Sequence, residues 1–398
     1  MSSTSRLAFL AFALGVCCAA PGRAQSAQVA EARDTPTDTE TGFLQSRGAH
    51  VRFEAASKIP DNAIVALQQR QISTVPFFTS SFAYEGKVFP FTQVGARPQS
   101  GGTTEIPTQI MAVAMFFEGF ADDNGDPIVM ASDPILARVL ASPNFRVAPY
   151  PNGVTQFADA VQRAQFNRIM AQDWHTLLGA PQVLKPVMID VPRGMAKVYR
   201  NRATGVLYAV VDSAFFISQL NTIVQLQEFH ADSLAIIVTA NVFLAPEADN
   251  KRCCVLGFHT AFESGQKDGV PQVQTFVWAS WIDQGILATS VADVTPLSHE
   301  ISEWMNNPFE RNQVPAWQSP ASPGGCQNNL ETADPLATLP NVGYPVTIGD
   351  FTYHPQTQVL LPWFTRGSSD SWDGAFSFPD ETLATRPSQP CSKLEPSH

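Results

Sequence analysis

The chain has 398 residues, 44% hydrophobic and 15% charged, with 31 prolines and a formal net charge of −11. That much apolar material sustains a large core, in one big domain or two smaller ones, and the proline-rich, charge-poor usage suits a rigid, loop-rich extracellular fold. No basic stripe is available to neutralise phosphates, which argues against nucleic acid as a partner, and an acidic surface is repelled by anionic lipid.

At the N-terminus, Arg6 precedes a short apolar run from Leu7 to Val16, and small residues follow up to Ala24. This pattern predicts a signal peptide over residues 1–24 and a secreted or periplasmic protein. The run is shorter than the ~20 residues of a membrane span, so no transmembrane span is expected. A lipid anchor on Cys17 is the minor alternative, with Leu14 at the right offset but Val16 a poor neighbour. Residues 25–45 are polar and acidic and read as a disordered linker. Beyond it, 46–180 is read as an N-terminal α/β region that either stands alone or joins 181–379, with 380–398 as a tail.

The apolar run Ile106 to Phe120 leads into Asp122-Asp123-Asn124-Gly125-Asp126, whose Asn-Gly pair predicts a hairpin turn. The acidic cluster lacks the ligand ladder and terminal Glu of an EF-hand. A helix is predicted over Gln156 to Met170, with Phe157, Ala160, Val161, Ala164 and Ile169 on its core face. Strands follow at Pro186 to Val191, Ala196 to Arg200 and Val206 to Val211, the last two joined across Thr204-Gly205. A helix carrying Phe216, Leu220, Ile223 and Val224 covers the sheet. The β-branched run Leu234 to Phe243 reads as one buried strand, and Val255 to Phe262 and Val273 to Trp281 continue the sheet. Then the period changes to that of a helix, through Leu287, Val291, Val294, Leu297, Ile301, Trp304 and Met305. Pro296 implies either a kink or a new helix capped by Thr295, the second costing no hydrogen bond. The order predicts an α+β fold, a mixed sheet packed against this helix with a loop-rich C-terminal part.

Once the signal is removed, Cys253, Cys254, Cys326 and Cys391 remain, an even number that fits two disulfides in an exported chain. Bonding between the neighbours Cys253 and Cys254 strains the backbone, so each is expected to reach Cys326 or Cys391. The C-x-x-C spacing of a four-cysteine zinc site is absent.

The chemistry concentrates in His299-Glu300-Ile301-Ser302-Glu303. His299 and Glu303, at i and i+4, project from one helix face about 5–6 Å apart and can close on one cation. Glu300 lies one step round, where a general base must be to deprotonate a metal-held water. The arrangement is that of a His-Glu-x-x-His zincin helix with the second His replaced by Glu, against which stands a plain surface helix needing no metal. A third ligand must come from elsewhere: Glu331 first, Asp334 second, with His259 a further contender that otherwise reads as a core histidine. His354 ranks lower, and His50, His175 and His230 have no companion pattern. Zinc is the default, with manganese, iron or calcium open because the donors are hard.

Cys254-Val255-Leu256-Gly257-Phe258-His259, Thr275-Phe276-Val277-Trp278, His299 to Glu303 with Asn307-Pro308, and Glu331-Thr332-Ala333-Asp334 occur in that order. Over roughly residues 250–335 the series resembles the phosphate-induced, EXORDIUM-like secreted proteins of plants, and a group of uncharacterised exported bacterial proteins with the same helix. The resemblance implies an extracellular protein linked to wall growth and a site set of His259, His299, Glu300, Glu303, Glu331 and Asp334. The chain departs from the plant pattern in having no Cys beside Asp334 and an insertion between Cys254 and His259.

Two functional expectations follow. One is a secreted metal-dependent hydrolase, most simply a peptidase. The other is a non-catalytic exported binding protein for a wall polymer or a protein, with aromatics such as Trp278, Trp281, Trp304, Trp317, Trp363 and Trp372 available to stack on sugars. A serine or paired-carboxylate mechanism ranks last, for want of a Gly-x-Ser-x-Gly elbow.

Overall fold

The computed structural model describes residues 33–44, 69, 72–227, 229–319, 326–367 and 370–391. The expected signal peptide and His50 lie outside them. From Arg33 onward the described residues form one compact unit of α+β architecture. Its main elements in chain order are β1 (Thr37–Thr39), β2 (Thr108–Ala121), β3 (Pro127–Met130), α1 (Phe157–Gln165), β4 (Val187–Val191), β5 (Ala196–Asn201), β6 (Leu207–Asp212), α2 (Ser213–Leu226), β7 (Leu234–Ala240), β8 (Val242–Ala245), β9 (Gly257–Lys267), β10 (Val270–Trp281) and α3 (Thr295–Asn306).

A mixed sheet runs β2-β7-β10-β9, with β3, β4 and the short strand Gln182–Val183 also paired to β2. β7 is parallel to both its neighbours, and β9 is antiparallel to β10. Every residue of β7 is buried, as a strand covered on both faces must be, which explains a sequence apolar but for Thr239. Ala235 and Ile237 point to the layer of Phe216, Leu220, Ile223 and Val224 on α2. Ile236 and Val238 point the other way, to Leu297, Ile301, Trp304 and Met305 on α3. A second sheet, β1-β5-β6-β8, shares the α2 side of the core.

Several expectations hold in detail. The Asn124-Gly125 hairpin joins β2 to β3, with the Asp122 carboxylate accepting the amides of Asn124 and Asp126. β5 and β6 pair antiparallel across Thr204-Gly205.

Others need correction. The run Leu234 to Phe243 is two strands, because Asn241 takes a left-handed φ of 55° and sends Val242–Ala245 into the second sheet. Asn is among the few residues that visit this region readily, and here its amide is fixed to Asp283. α1 ends at Gln165, so Ile169 falls outside the helix and is exposed. Leu287 and Val291 are buried but precede α3, which starts afresh at Thr295 with Pro296 in its first turn, where no hydrogen bond is lost. Val294 rather than Thr295 holds the cap position; the Thr295 hydroxyl accepts from the Ala292 amide instead. Within the stretch read as a linker, Thr37–Thr39 is a strand paired in parallel with β5.

The disulfides are Cys253–Cys254 and Cys326–Cys391. The neighbours Cys253 and Cys254 thus bond to each other, contrary to expectation, and neither reaches Cys326 or Cys391. The Cys253–Cys254 peptide is cis, with Cα atoms 3.0 Å apart, and the two sulfurs meet. Among the described residues no helix is long and apolar enough to cross a membrane. Trp278, Trp281, Trp304, Trp317 and Trp363 are buried in the core, so of the tryptophans considered for sugar stacking Trp372 alone is partly exposed.

Candidate metal centre

The site forms where α3 crosses the sheet near the start of β9. The apolar stripe of α3 faces the sheet, which leaves His299 and Glu303 one turn apart on the adjoining face. His299 Nε2 lies 3.1 Å from Glu303 Oε2. On β9, side chains alternate between the two faces; Phe258 joins the α2 layer, and His259, paired in register with Val277, therefore emerges under α3. Its Nδ1 is 3.4 Å from Glu300 Oε2 and 3.9 Å from Glu303 Oε2.

The return segment after α3 closes the site. The Ala333 and Asp334 amides donate to Glu303 Oε1 at 3.0 and 3.2 Å, which turns Oε2 toward the histidines. Asp334 Oδ1 comes within 3.5 Å of His299 Nε2. Glu331, the first expectation for a third ligand, instead approaches His259 Nε2 at 3.8 Å. Its Oε1 accepts from the side-chain amides of Asn307 and Asn329. Glu300 Oε1 completes the group, 3.8 Å from His299 Nε2. All six residues named from the motif are thus gathered in one cluster.

Three supporting residues had no role assigned from the sequence, although Gly257 and Asn307 lie in the segments that carry the resemblance. Gln356 Oε1 lies 3.0 Å from His299 Nδ1, while its own amide donates to Ala333 O. An Nδ1–H donated to that carbonyl leaves the Nε2 lone pair aimed at Glu303 and Asp334. Gly257 lies against Glu300: a Cβ there would sit 2.8 Å from Glu300 Cγ and 3.0 Å from Trp278 O. Asn307 ties the end of α3 to Glu331, and its Oδ1 accepts the amides of Arg311 and Asn312.

The electrostatics are those of a crowded, dry site. Burial pulls the His259 pKa down, but the hydrogen bond to Glu300 and the charges of Glu331, Glu310 and Glu300 outweigh it and push it up to about 10. Burial opposes the charged form of His299 too, yet Glu303, Glu300 and Asp334 hold its pKa well above the usual range. Burial raises the Glu300 pKa, and the neighbouring histidines only partly restore it.

With bonds of ~2.0–2.2 Å, adjacent ligand atoms of a tetrahedral ion lie about 3.4 Å apart. The observed separations of 3.1 and 3.5 Å from His299 to Glu303 and Asp334 bracket that value. Among the described residues two groups of three have donor atoms within 4.8 Å of one another, His299-Glu303-Asp334 and His259-Glu300-Glu303. The His299 and Asp334 side chains are 15% and 11% exposed against 3% for Glu303, so the centre meets solvent on their side. His354 and His175 stand in pairs of their own, each 2.7 Å from a buried carboxylate, Asp293 and Asp159 respectively. Compared with known proteins, the chain has no match among family models, curated proteins or solved structures.

Proposed function

We propose that this chain is an exported metal-dependent hydrolase, most simply a peptidase. His299, Glu303 and Asp334 hold a divalent ion, zinc by default, and Glu300 is the general base. The observation that carries this reading is the spacing of His299 from the other two donors, close to the edge of a coordination polyhedron, with all three donor atoms within 4.8 Å of one another. Such an ion polarises the substrate carbonyl and lowers the pKa of water. Glu300, whose Oε1 lies 3.8 Å from His299 Nε2 at the edge of the donor set, would take the proton from the attacking water. Gln356 orients His299, and the Ala333 and Asp334 amides orient Glu303. Export is supported by the N-terminal sequence and by two disulfides, which persist in oxidising compartments. The ordered likeness to the phosphate-induced proteins is in keeping with an extracellular role.

Protein purified without chelator should carry bound metal and cleave peptides in a broad screen. Glu303→Ala should lose both metal and activity. Glu300→Gln should keep the metal and lose hydrolysis by roughly 10²-fold or more. Full metal retention in Glu303→Ala would remove that residue from the site.

One observation favours a second reading, a non-catalytic binding protein with a structural ion. His259, Glu300, Glu303 and Glu331 are all buried, and structural sites are closed where catalytic ones keep an open position. Silence across the peptide screen, with metal bound and measurable affinity for a wall polymer, would decide for it.

A further inference from the structure

We infer that the centre is built for two divalent cations sharing Glu303, one beside His299 and one beside His259. The inference rests on the metal reading above and extends it from one ion to a pair.

The two groups of donors have Glu303 in common. Because Glu303 Oε1 is engaged by the Ala333 and Asp334 amides, Oε2 is the oxygen between the imidazoles, 3.1 Å from His299 Nε2 and 3.9 Å from His259 Nδ1. Glu300 instead turns one oxygen to each imidazole. Oε1 faces His299 at 3.8 Å and Oε2 faces His259 at 3.4 Å. An oxygen placed between two sites suits paired cations about 3.5–4 Å apart, and Glu300 would keep Oε1 beside the first ion as the base while Oε2 helps to hold the second.

The tautomers agree. Gln356 Oε1 accepts from His299 Nδ1, which frees Nε2 for one ion. His259 Nε2 is buried without a hydrogen bond, and Glu331 Oε2 at 3.8 Å is the carboxylate an Nε2–H would point toward, which frees Nδ1 for the other ion. A carboxylate behind a ligating imidazole is the usual way that ring is oriented.

Charge decides between one ion and two. With both imidazoles neutral, Glu300, Glu303, Glu331 and Asp334 place four negative charges in a site where three of these side chains are at most 7% exposed. A single dication matches two of those four charges, and charge taken out of water is costly unless it is paired. Two dications match all four. Carboxylates with imidazole suit manganese, iron and zinc.

The test is stoichiometry. The mature protein is stripped, saturated with Mn²⁺ alone, desalted and assayed by elemental analysis and electron paramagnetic resonance. The inference expects two ions per chain with an exchange-coupled spectrum, one ion in Asp334→Asn and in His259→Gln, and none in Glu303→Ala. One ion per chain in the unaltered protein, with the six-line spectrum of isolated Mn²⁺, would overturn the pair and leave the single-ion reading standing. No bound ion at saturation would remove both. Since the deciding number comes from the unaltered protein, misfolding of a variant cannot obscure it.

Discussion

At the scale of the residue, His259 and His299 behave differently with and without an ion. In the metal-free protein both imidazoles are surrounded by carboxylates and hold their protons far above the usual range. A pKa raised in the folded state stabilises the fold fully below the unfolded value, near 6.5 for histidine, and that contribution is lost as pH climbs through the folded value. For His259 the window runs from about 6.5 to about 10. The thermal midpoint of the metal-free protein should therefore fall across that window. Metal-loaded protein, in which the ion replaces those protons, should be flatter over the same range and should bind metal more weakly as pH drops. Parallel melting curves at stepped pH check this; a metal-free midpoint that rises with pH would contradict it. The residues involved were legible because His299, Glu300 and Glu303 announce themselves by helical spacing. Gln356 was not, being one polar residue in a loop with no period to mark it, and its role appears only once the chain folds it against His299.

At the scale of the element, the centre depends on how closely β9 approaches α3. The apolar stripe of α3 and the alternation of β9 could be read in advance, since both are periodicities. The break at Asn241 could not, because apolar residues continue on both sides of it and only the left-handed backbone at that one residue parts the strands. Gly257 is where the approach is tightest. A methyl group there would meet the Glu300 side chain and the Trp278 carbonyl, and the carbonyl belongs to the sheet and cannot yield. Glu300 must then move. Gly257→Ala should fold, at an overpacking cost of about 1–3 kcal/mol. It should lose at least tenfold in peptide cleavage or metal affinity, far more than an alanine at the exposed Gly367. A variant with unaltered metal affinity and activity would show that Glu300 is free to swing aside.

At the scale of the molecule, the centre is assembled from three distant stretches: β9, α3 and the return through Glu331, Asp334 and Gln356. The first two are held by the sheet and its apolar cover. The third lies within the ring closed by Cys326–Cys391, at a sequence separation of 65. The pairing was not legible, since it turns on whether the Cys253–Cys254 peptide is cis, which spacing does not report. Its consequence is a division of labour. The sheet fixes His259, His299 and Glu300, while the disulfide limits the freedom of the segment that carries Glu331, Asp334 and Gln356. Closing a ring of this length removes unfolded-state entropy worth about 4 kcal/mol at most. The double variant Cys326→Ser, Cys391→Ser should therefore unfold at a lower temperature. It should also lose metal affinity more steeply than a core truncation of similar stability cost, such as Leu220→Ala on the far face of the sheet. Matching losses of affinity in the two variants would mean that the return segment is held by its own packing and that the disulfide serves stability alone.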